Sequence, residues 1–363
     1  MTFRLTMLPG LDGDCILLAW GEASPLHHLI VDLGRGATYK IVRSELTALE
    51  NLELLVISHI DADHIAGAIP MVREPTAPFA PRRVWYNSRP QLQAAKDRHP
   101  IAEPFRARQG EKLARGIVNF QWPWNAGFAS EVVSVDSPEA KGPIDIGGGL
   151  TIRLLSPTDG GLAALLPVWD AELQKNKIRT FDPDEEENPL APHFEPFGVP
   201  NVEKLAKEPY GRDRTETNGS AIAFLAEFQG KRVLLAADAH SETLEASLAP
   251  LAKTEGGRYR IDLLKMSHHG SKANTSNALP GLIDCRRFAI STNGDRHDHP
   301  DPETIARLLV AGKDHPKTLY FNYRQPQTDR WDSPALRAKY KYDCVFPAKK
   351  SDDPANGTLA VDV

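Results

Sequence analysis

The side chains best suited to chemistry in this sequence are four ionisable residues that follow one apolar segment. The stretch LLVISHIDADH places His59, Asp61, Asp63 and His64 within six positions, just after the apolar run that ends at Ile57. Neutral imidazole and carboxylate are ligands for zinc, manganese and iron in proteins. A salt-bridged surface turn would use the same residue types, so this segment alone leaves a metal site and a charged loop open.

Three further segments deliver the same residue types after an apolar run. Asp238 follows RVLLAA, His268 and His269 follow IDLLKMS, and His297 and His299 follow RRFAISTNGD. Alone, Asp238 could cap a helix and the histidine pair could be structural. In α/β sheets, however, binding groups collect beyond the carboxyl ends of the strands. We therefore expect these segments and the first one to meet at one place.

Strands and helices alternate in both halves of the chain, which predicts an α/β sandwich. LELLVISH is apolar enough to be a strand buried on both faces, and SAIAFLAEFQGKRVLLAADA predicts a hairpin turning at Gln229–Gly230. The stretch from about 160 to 215 is acidic, proline-rich and aperiodic, which predicts a long loop or insertion. Additional strands are expected from about 316 to 363. The whole chain, 1–363, is interpreted as one domain.

Composition restricts the class of protein. The 363 residues are 41% hydrophobic and 25% charged, as in soluble globular proteins. A net charge of −5 argues against a generally basic nucleic-acid coat, although a locally basic cleft remains compatible with it. No window approaches the roughly 20 apolar residues of a membrane span, and no secretory signal is evident. Three separated cysteines without a CxxC pair indicate a reducing compartment, and we expect a cytoplasmic location without a membrane partner.

The four motifs, in this order, resemble those of the metallo-β-lactamase-fold hydrolases. SHIDADH resembles their HxHxDH turn with Asp61 replacing the middle histidine, and LLKMSHHGSKANTS resembles an HHGS segment. NGSAIAFLAEFQGKRVLLAADA resembles the segment that holds a bridging aspartate. The hydrolase domain of ComEC-type DNA-uptake proteins and their stand-alone relatives share the Asp61 replacement. Matching segments lie between residues 3 and 310, and 160–215 has no counterpart. The resemblance implies an αββα sandwich of two mixed sheets flanked by helices.

The resemblance also implies a dinuclear metal centre. The implied metal ligands are His59, Asp61, Asp63, His64, Asp238, His268 and His269. His59 and Asp61 would bind one ion, Asp63 and His64 the other, and Asp238 both, with one of the histidine pair completing the second half-site. We expect zinc or manganese, with magnesium as a further candidate. Asp61, a harder ligand than histidine, tilts the choice from zinc toward manganese or magnesium. The family's additional histidine is not identified, and only His99 and His193 lie between His64 and Asp238.

The resemblance implies a role for residues around the metal ions as well. The implied catalytic residues are Asp63, His269, His299 and Lys272, and the implied substrate-binding residues are Asn218, Ser220, Gly270, Ser271 and His297. The leading expectation is a phosphodiesterase, first of all a nuclease, in which a metal-bound hydroxide attacks phosphorus in line. Nucleic acid or a small phosphodiester would be the partner. Two alternatives stay open: a hydrolase of small phosphoesters, nucleotide signals or lactones, and a metal-stabilised binding module without catalysis. The oligomeric state is left open.

Overall fold

The computed structural model describes residues 1–98, 108–176, 199–312, 315–348 and 356–363. His99 and His193, the two histidines considered for the first half-site, lie outside the described residues.

A six-stranded mixed sheet is formed mainly by the first part of the chain. Its order is β16-β1-β2-β3-β4-β5, with antiparallel pairing from β16 to β3 and parallel pairing from β3 to β5. Its strands are β1 (Thr2–Met7), β2 (Ile16–Gly21), β3 (His27–Val31), β4 (Asn51–Val56), β5 (Val84–Trp85) and β16 (Leu359–Asp362). The strand β4, predicted to be buried, is covered from Leu52 to Val56.

An eight-stranded mixed sheet follows, in the order β15-β14-β13-β11-β9-β8-β7-β6. Its strands are β6 (Ile144–Gly147), β7 (Leu150–Ser156), β8 (Ala223–Phe228), β9 (Lys231–Leu235), β11 (Leu263–Lys265), β13 (Arg287–Ile290), β14 (Lys317–Phe321) and β15 (Tyr342–Val345). The predicted hairpin between β8 and β9 is confirmed, with positive φ at Gln229 and Gly230 as a tight hairpin turn requires. A small parallel pair joins β10 (Tyr259–Ile261) and β12 (Ile283–Cys285).

Helices connect the strands and cover the outer face of each sheet. Those in the first half are α1 (Thr38–Thr47), α2 (Ala62–Ile65), α3 (Ala68–Val72), α4 (Arg89–Arg98), α5 (Arg108–Asn119) and α6 (Asp159–Asn176). The others are α7 (Val202–Leu205), α8 (Glu216–Gly219), α9 (Ser241–Thr254), α10 (Leu279–Leu282), α11 (Pro302–Val310), α12 (Pro326–Asp329) and α13 (Pro334–Tyr340). A short 3-10 turn occurs at Pro138–Lys141, and Ser267–Gly270 form a tight turn.

Three apolar clusters show how these layers pack. The central cluster joins the two sheets, with Leu18 and Val56 from the first and Phe224 and Val233 from the second. Leu17, next to Leu18 in β2, belongs instead to the cluster between the first sheet and its helices, because successive strand residues point to opposite faces. A third cluster joins the second sheet to α9, α11 and α13. The layers are therefore helices, sheet, sheet and helices, and the predicted αββα sandwich of two mixed sheets flanked by helices is confirmed.

The prediction of a loop from about residue 160 is wrong for the first part of that stretch. That part is the helix α6, in which Leu162, Leu165, Leu166 and Trp169 are buried at helical spacing. Gly161 packs closely against α8, so that a Cβ added at this position would lie 2.4 Å from the Gly219 carbonyl oxygen. The glycine is therefore required by close packing. The part of the predicted insertion at 177–198 lies outside the described residues.

Within the described parts of the chain, no helix combines the length and the apolar character that a bilayer crossing requires.

Candidate metal centre

The predicted site residues lie where four strands of the two sheets end. His59 follows β4, Asp238 follows β9, His268 and His269 follow β11, and His299 lies in the turn after β13. Asp61 precedes the first residue of α2. The expectation that separate strand ends meet at one place is thus fulfilled in the geometry, because side chains from all four motifs lie within a few ångströms of Asp238 or of its neighbours.

One group of four ligand atoms is closely packed, and we call it the inner half-site. It consists of Asp63, His64, Asp238 and His269, whose ligand atoms all lie within 4.8 Å of one another. His269 Nε2 is 3.2 Å from Asp63 Oδ2, and His64 Nε2 is 3.3 Å from Asp238 Oδ2. Separations of this size suit atoms that share one cation, since zinc ligands lie about 2.0–2.2 Å from the ion. Of the two adjacent histidines, His269 is the one in this group.

The remaining ligand candidates form a looser group, which we call the outer half-site. His59 Nε2 lies 3.7 Å from Asp61 Oδ2 and 3.8 Å from Asp238 Oδ2. His268 Nε2 lies 3.7 Å from the same Asp238 oxygen. The Asp61 side chain is 29% exposed and accepts a hydrogen bond from the Thr217 hydroxyl at 3.0 Å. Asp238 adjoins both half-sites and is the only candidate bridge among the described ligands.

A buried carboxylate, Asp32, fixes the two histidines of the first motif. Asp32 Oδ2 accepts from His64 Nδ1 at 2.8 Å and from the Ser58 hydroxyl at 2.6 Å. Because that hydroxyl has given its one proton to Asp32, its oxygen accepts from His59 Nδ1 at 2.9 Å. Both rings therefore carry their proton on Nδ1 and turn the Nε2 lone pair toward Asp238. Such outer partners commonly set the tautomer of metal-binding histidines.

His269 is fixed in the same sense by the backbone. Its Nδ1 lies 2.8 Å from the Ser291 carbonyl oxygen, which can only accept, so this nitrogen is the donor. Asp14 Oδ1 is 3.5 Å from the same nitrogen, and Lys265 Nζ donates to Asp14 Oδ2 at 2.6 Å. Burial alone would raise the pKa of Asp14, but Lys265 and His269 outweigh burial and lower it to about 2. A buried ionic pair thus lies directly behind the inner half-site.

The buried atoms at the centre lack hydrogen-bond partners, which indicates that a cation belongs there. Nε2 of His59, His64 and His269 and Oδ1 of Asp238 are all buried and unpaired. Lone pairs directed at carboxylates from 3.3 Å repel each other unless a proton or a metal ion lies between them. Nitrogen and oxygen donors in this combination suit zinc or manganese. The residues therefore fit the implied metal ions.

In the absence of a metal ion, the pKa shifts indicate that protons on the histidines balance the charge of the carboxylates. Burial alone would lower the pKa of His269, but Asp238 and Asp14 outweigh it and raise that pKa to about 10. The pKa of His64 is likewise raised well above its usual value, mainly by Asp238 and Asp63 against the cost of burial. The pKa values of Asp63 and Asp238 lie well below their usual range because the histidines outweigh burial. A metal ion would take over the charge that these protons carry.

The backbone of the histidine pair is strained. His268 (φ 46°, ψ 52°) and His269 (φ 53°, ψ 21°) both adopt the left-handed conformation, which residues with a Cβ rarely do, and Gly270 follows at φ 87°. Strain of this kind costs about 1–3 kcal/mol per residue and clusters at functional sites. It turns two successive side chains into the two half-sites, one ring on each side of Asp238.

His299 is close to the metal ligands, whereas His297 is on the surface. The His299 ring lies perpendicular to the His268 ring at a centroid distance of 5.3 Å. Its Nδ1 is buried without a hydrogen-bond partner, and burial together with the neighbouring histidines lowers its pKa well below the usual value. His297 is exposed, with its ring 5.9 Å from that of His299.

Lys272 forms an ion pair with a neighbouring carboxylate. Its ammonium group lies 3.0 Å from Glu303, and its side chain is 52% exposed. The structure therefore gives the predicted catalytic Lys272 a surface ion pair as its visible role.

The other predicted substrate-binding groups mainly hold their own loops. The Gly270 carbonyl accepts from the Asp301 amide, and the Ser271 amide donates to the His268 carbonyl. The Ser220 hydroxyl donates to the Thr217 carbonyl. Asn218 is buried, donates to Asp213 at 2.6 Å, and keeps its Oδ1 unpaired. Of these residues, Asn218 is the one with an unused polar atom near the histidine pair.

Sequence reasoning missed the residues that orient the ligands. These are Asp14, Asp32, Ser58, Asp213, Lys265 and Asn274. Asp32 directly follows β3, and Asp14 lies in the loop before β2. The rule that polar residues at strand ends mark a site also applies to Asp32, which follows the apolar run LIV in LIVDLG. Lys265 carries no such signal, because a lysine beside a strand end is usually a solvent-exposed charge.

Comparison with family models gives no match, and no curated protein matches either. Among solved structures, the chain is similar to the E377D mutant of CmlA beta-hydroxylase, with 12% identity and a TM-score of 0.40 over 99% of this chain and 54% of that one. It is also similar to Zn(2+)-bound PqqB from Methylobacterium extorquens, with 12% identity and a TM-score of 0.37 over 99% and 100% of the two chains. For a long form RNase Z from yeast the values are 9% and 0.35, over 99% and 50%. The chain spans about half the length of CmlA and of this RNase Z.

Fold and site together define an αββα protein with a candidate metal-binding cluster of histidines and aspartates at the ends of its strands.

Proposed function

We propose that the protein is a metal-dependent hydrolase that cleaves phosphodiesters, with nucleic acid as the first candidate substrate. One observation carries this proposal. The rings of His59, His64 and His269 all give their Nδ1 proton to an outer acceptor and turn a buried, unpaired Nε2 toward Asp238. A protein has little reason to fix three lone pairs around a carboxylate unless they hold cations.

The residues suit the reaction in which phosphate esters are hydrolysed. Divalent ions held at this cluster would supply the positive charge that activates water and stabilises the charge developing on phosphate. Asp238 would keep two such ions adjacent, and Asp63 and His269 would hold the inner one. His299 lies beside His268 with an unpaired nitrogen, which suits a hydrogen bond to the phosphate or the leaving group. The motif resemblance, including Asp61, supports phosphodiesters over lactams.

A second candidate substrate, a small phosphoester, is favoured by the ion pairs of the two lysines that flank the histidine pair. Lys265 is buried on Asp14, and Lys272 is paired with Glu303. A long polyanion is usually held by several lysines and arginines that are available to its phosphates. Since these two are engaged within the protein, a small ester that reaches only the cluster fits this part of the surface as well as DNA does.

A substrate panel separates these candidates. Purified protein is incubated with plasmid, single-stranded DNA, RNA and bis(p-nitrophenyl) phosphate, with Mn²⁺, Mg²⁺ or Zn²⁺ added in turn. Cleavage of a nucleic acid that disappears in Asp238→Ala supports the nuclease. Turnover of the dye ester alone supports the small-phosphoester hydrolase and contradicts the nuclease. No turnover, with metal bound, would favour a non-catalytic binding module and contradict the proposal.

A further inference from the structure

Asp213 lies behind the outer half-site and accepts hydrogen bonds from two buried amide side chains. Asn218 Nδ2 donates to Asp213 Oδ2 at 2.6 Å, and Asn274 Nδ2 donates to the same oxygen at 2.9 Å. The other carboxylate oxygen accepts from the amide and the hydroxyl of Thr215, each at 2.8 Å. Asp213 therefore acts as an acceptor at every contact.

The orientation of the Asn274 amide follows from this arrangement. Asn274 Nδ2 faces two groups that can only accept, the Asp213 carboxylate and the Asp238 carbonyl oxygen at 3.1 Å. The NH₂ group must therefore point to that side, and the amide oxygen to the other. That oxygen lies 2.9 Å from His268 Nδ1. Asn218 Nδ2 also lies 3.3 Å from His268 Nδ1, but its short hydrogen bond, at 2.6 Å, goes to Asp213 Oδ2. Since the closer Asn274 oxygen can only accept, it takes the proton of His268 Nδ1.

The lone pair of His268 then lies on Nε2, which is 3.7 Å from Asp238 Oδ2. His59 Nε2 lies 3.8 Å from the same oxygen. Among the described residues, the outer half-site otherwise has two ligand candidates besides the shared Asp238, namely His59 and Asp61, whereas the inner half-site has three, Asp63, His64 and His269. A third donor at this position would complete the set.

We propose that Asp213 is a positioning residue that acts through Asn274, fixing His268 so that its Nε2 becomes a ligand of the outer half-site. This inference rests on the proposed metal centre and concerns how that centre is completed. Asp213 belongs to the stretch from about 160 to 215 that the motif resemblance does not cover. Part of that stretch thus contributes directly to the site, and His268 takes the place of the histidine that was not identified between the first two motifs.

The tautomer of His268 tests the positioning role without metal or substrate. Two-bond ¹H–¹⁵N correlation spectra of metal-free protein at about pH 9 distinguish a ring protonated on Nδ1 from one protonated on Nε2, and His268→Gln identifies the signal. We expect Nδ1–H in the wild type. In Asp213→Asn the new amide keeps its oxygen on Thr215 and presents NH₂ to Asn274, which disfavours the present Asn274 orientation and shifts His268 toward Nε2–H. Asn274→Ala, which removes the acceptor, is expected to give the same shift.

Asp262→Asn provides the matched control. Asp262 also accepts from a main-chain amide, that of Arg232 at 2.9 Å, and from a side chain, that of Arg260 at 2.6 Å. The control should leave the His268 signal unchanged. A His268 ring that keeps Nδ1–H in both Asp213→Asn and Asn274→Ala, with both variants folded by circular dichroism, would overturn the positioning role.

Metal binding tests the second half of the inference. In a titration of metal-free protein with Mn²⁺, Asp213→Asn should weaken the weaker of two binding events by about 10–100-fold, as the loss of outer partners typically does, and leave the tighter event unchanged. Equal affinities in wild type and Asp213→Asn would overturn the ligand role of His268. If the tautomer shifts while no metal binds to any variant, the proposed function fails and the positioning by Asp213 stands.

Discussion

The inner and outer half-sites share Asp238 but differ in how completely the protein has assembled them. The ligand atoms of the inner half-site converge within 4.8 Å, and their outer partners are the buried Asp32 and a backbone carbonyl. In the outer half-site, Asp61 is 29% exposed and accepts a hydrogen bond from the half-buried Thr217, and His268 is 25% exposed. A preassembled site pays less to order its ligands when the ion binds. We therefore expect the inner half-site to bind metal more tightly.

Removing Asp238, the shared ligand, should abolish metal binding at both half-sites together with the activity. Asp238→Ala leaves neither half-site with its bridging carboxylate, so both binding events should be lost. Metal ions supply several kcal/mol of transition-state stabilisation, so kcat/KM for the best substrate in the panel should fall by about 1,000-fold or more. Steady-state kinetics check this, with Asp262→Asn as the control for loss of a carboxylate. Activity within tenfold of wild type would contradict the two-metal centre.

Removing one histidine of the adjacent pair should separate the half-sites. His269→Gln should eliminate the tight Mn²⁺ binding event, whereas His268→Gln should retain it and lose the weak one. The reason is that His269 is 3.2 Å from Asp63, while His268 faces only Asp238 among the candidate ligands. Isothermal titration calorimetry on both variants gives the comparison. An identical effect of the two substitutions would show that the half-sites are not distinct.

Substituting the outer partners of the ligands should show which half-site each partner supports. Asp32→Asn affects His64 directly and His59 through Ser58, so both binding events should weaken by about 10–100-fold. Asp14→Asn should weaken only the tight event, because Asp14 adjoins His269. Metal competition against a chromophoric chelator measures both. If Asp14→Asn weakened the two events equally, Asp14 would be acting on the whole fold.

The inner half-site should also make the stability of the metal-free protein depend on pH. The pKa of His269 is raised to about 10 in the folded protein, against about 6.5 in an unfolded chain. The folded state therefore binds the extra proton more tightly, and this contribution is complete below about pH 6.5 and disappears as the pH rises toward 10. Urea titrations between pH 6.5 and 10 should show a falling free energy of unfolding, with a smaller fall in His269→Gln. Equal slopes would contradict the coupling of His269 to Asp238 and Asp14.

The smallest effect is expected from Lys272, which belongs to neither half-site. Exposed ion pairs such as Lys272–Glu303 contribute about 0–1 kcal/mol. Lys272→Ala should therefore change kcat/KM by less than about fivefold, which is the factor that 1 kcal/mol corresponds to. Steady-state assays with the best substrate decide this. A loss of 100-fold or more would restore Lys272 to the catalytic role implied by the motif resemblance.

The sequence carried the main features of the fold because they depend on local patterns. The sequence predicted the apolar run of β4, the hairpin at Gln229–Gly230 and the order of the four motifs. Apolar periodicity and turn residues indicate such features without any knowledge of tertiary contacts. The helix α6 was missed because Gly160, Gly161 and Pro167 resemble breaks in a helix. The close packing of Gly161 against Gly219, which explains that glycine, exists only in three dimensions.

The residue types of the site were predictable from the sequence, but the contacts between the residues were not. The ligand candidates were visible because each follows a strand. Their division into two half-sites depends on the left-handed backbone at His268 and His269, which sends neighbouring side chains to different sides of Asp238. The pairing of Lys265 with Asp14 joins positions 251 residues apart in the chain. Long-range contacts of this kind leave no signal in one sequence.

The measurement that tests the central claim most directly is a Mn²⁺ titration of the metal-free wild-type protein beside His269→Gln and Asp238→Ala. The structure predicts a tight binding event in the wild type that is lost in both variants, and a weaker event that survives in His269→Gln alone. Binding to the wild type that is no tighter than binding to Asp238→Ala would show that this cluster is not a metal centre.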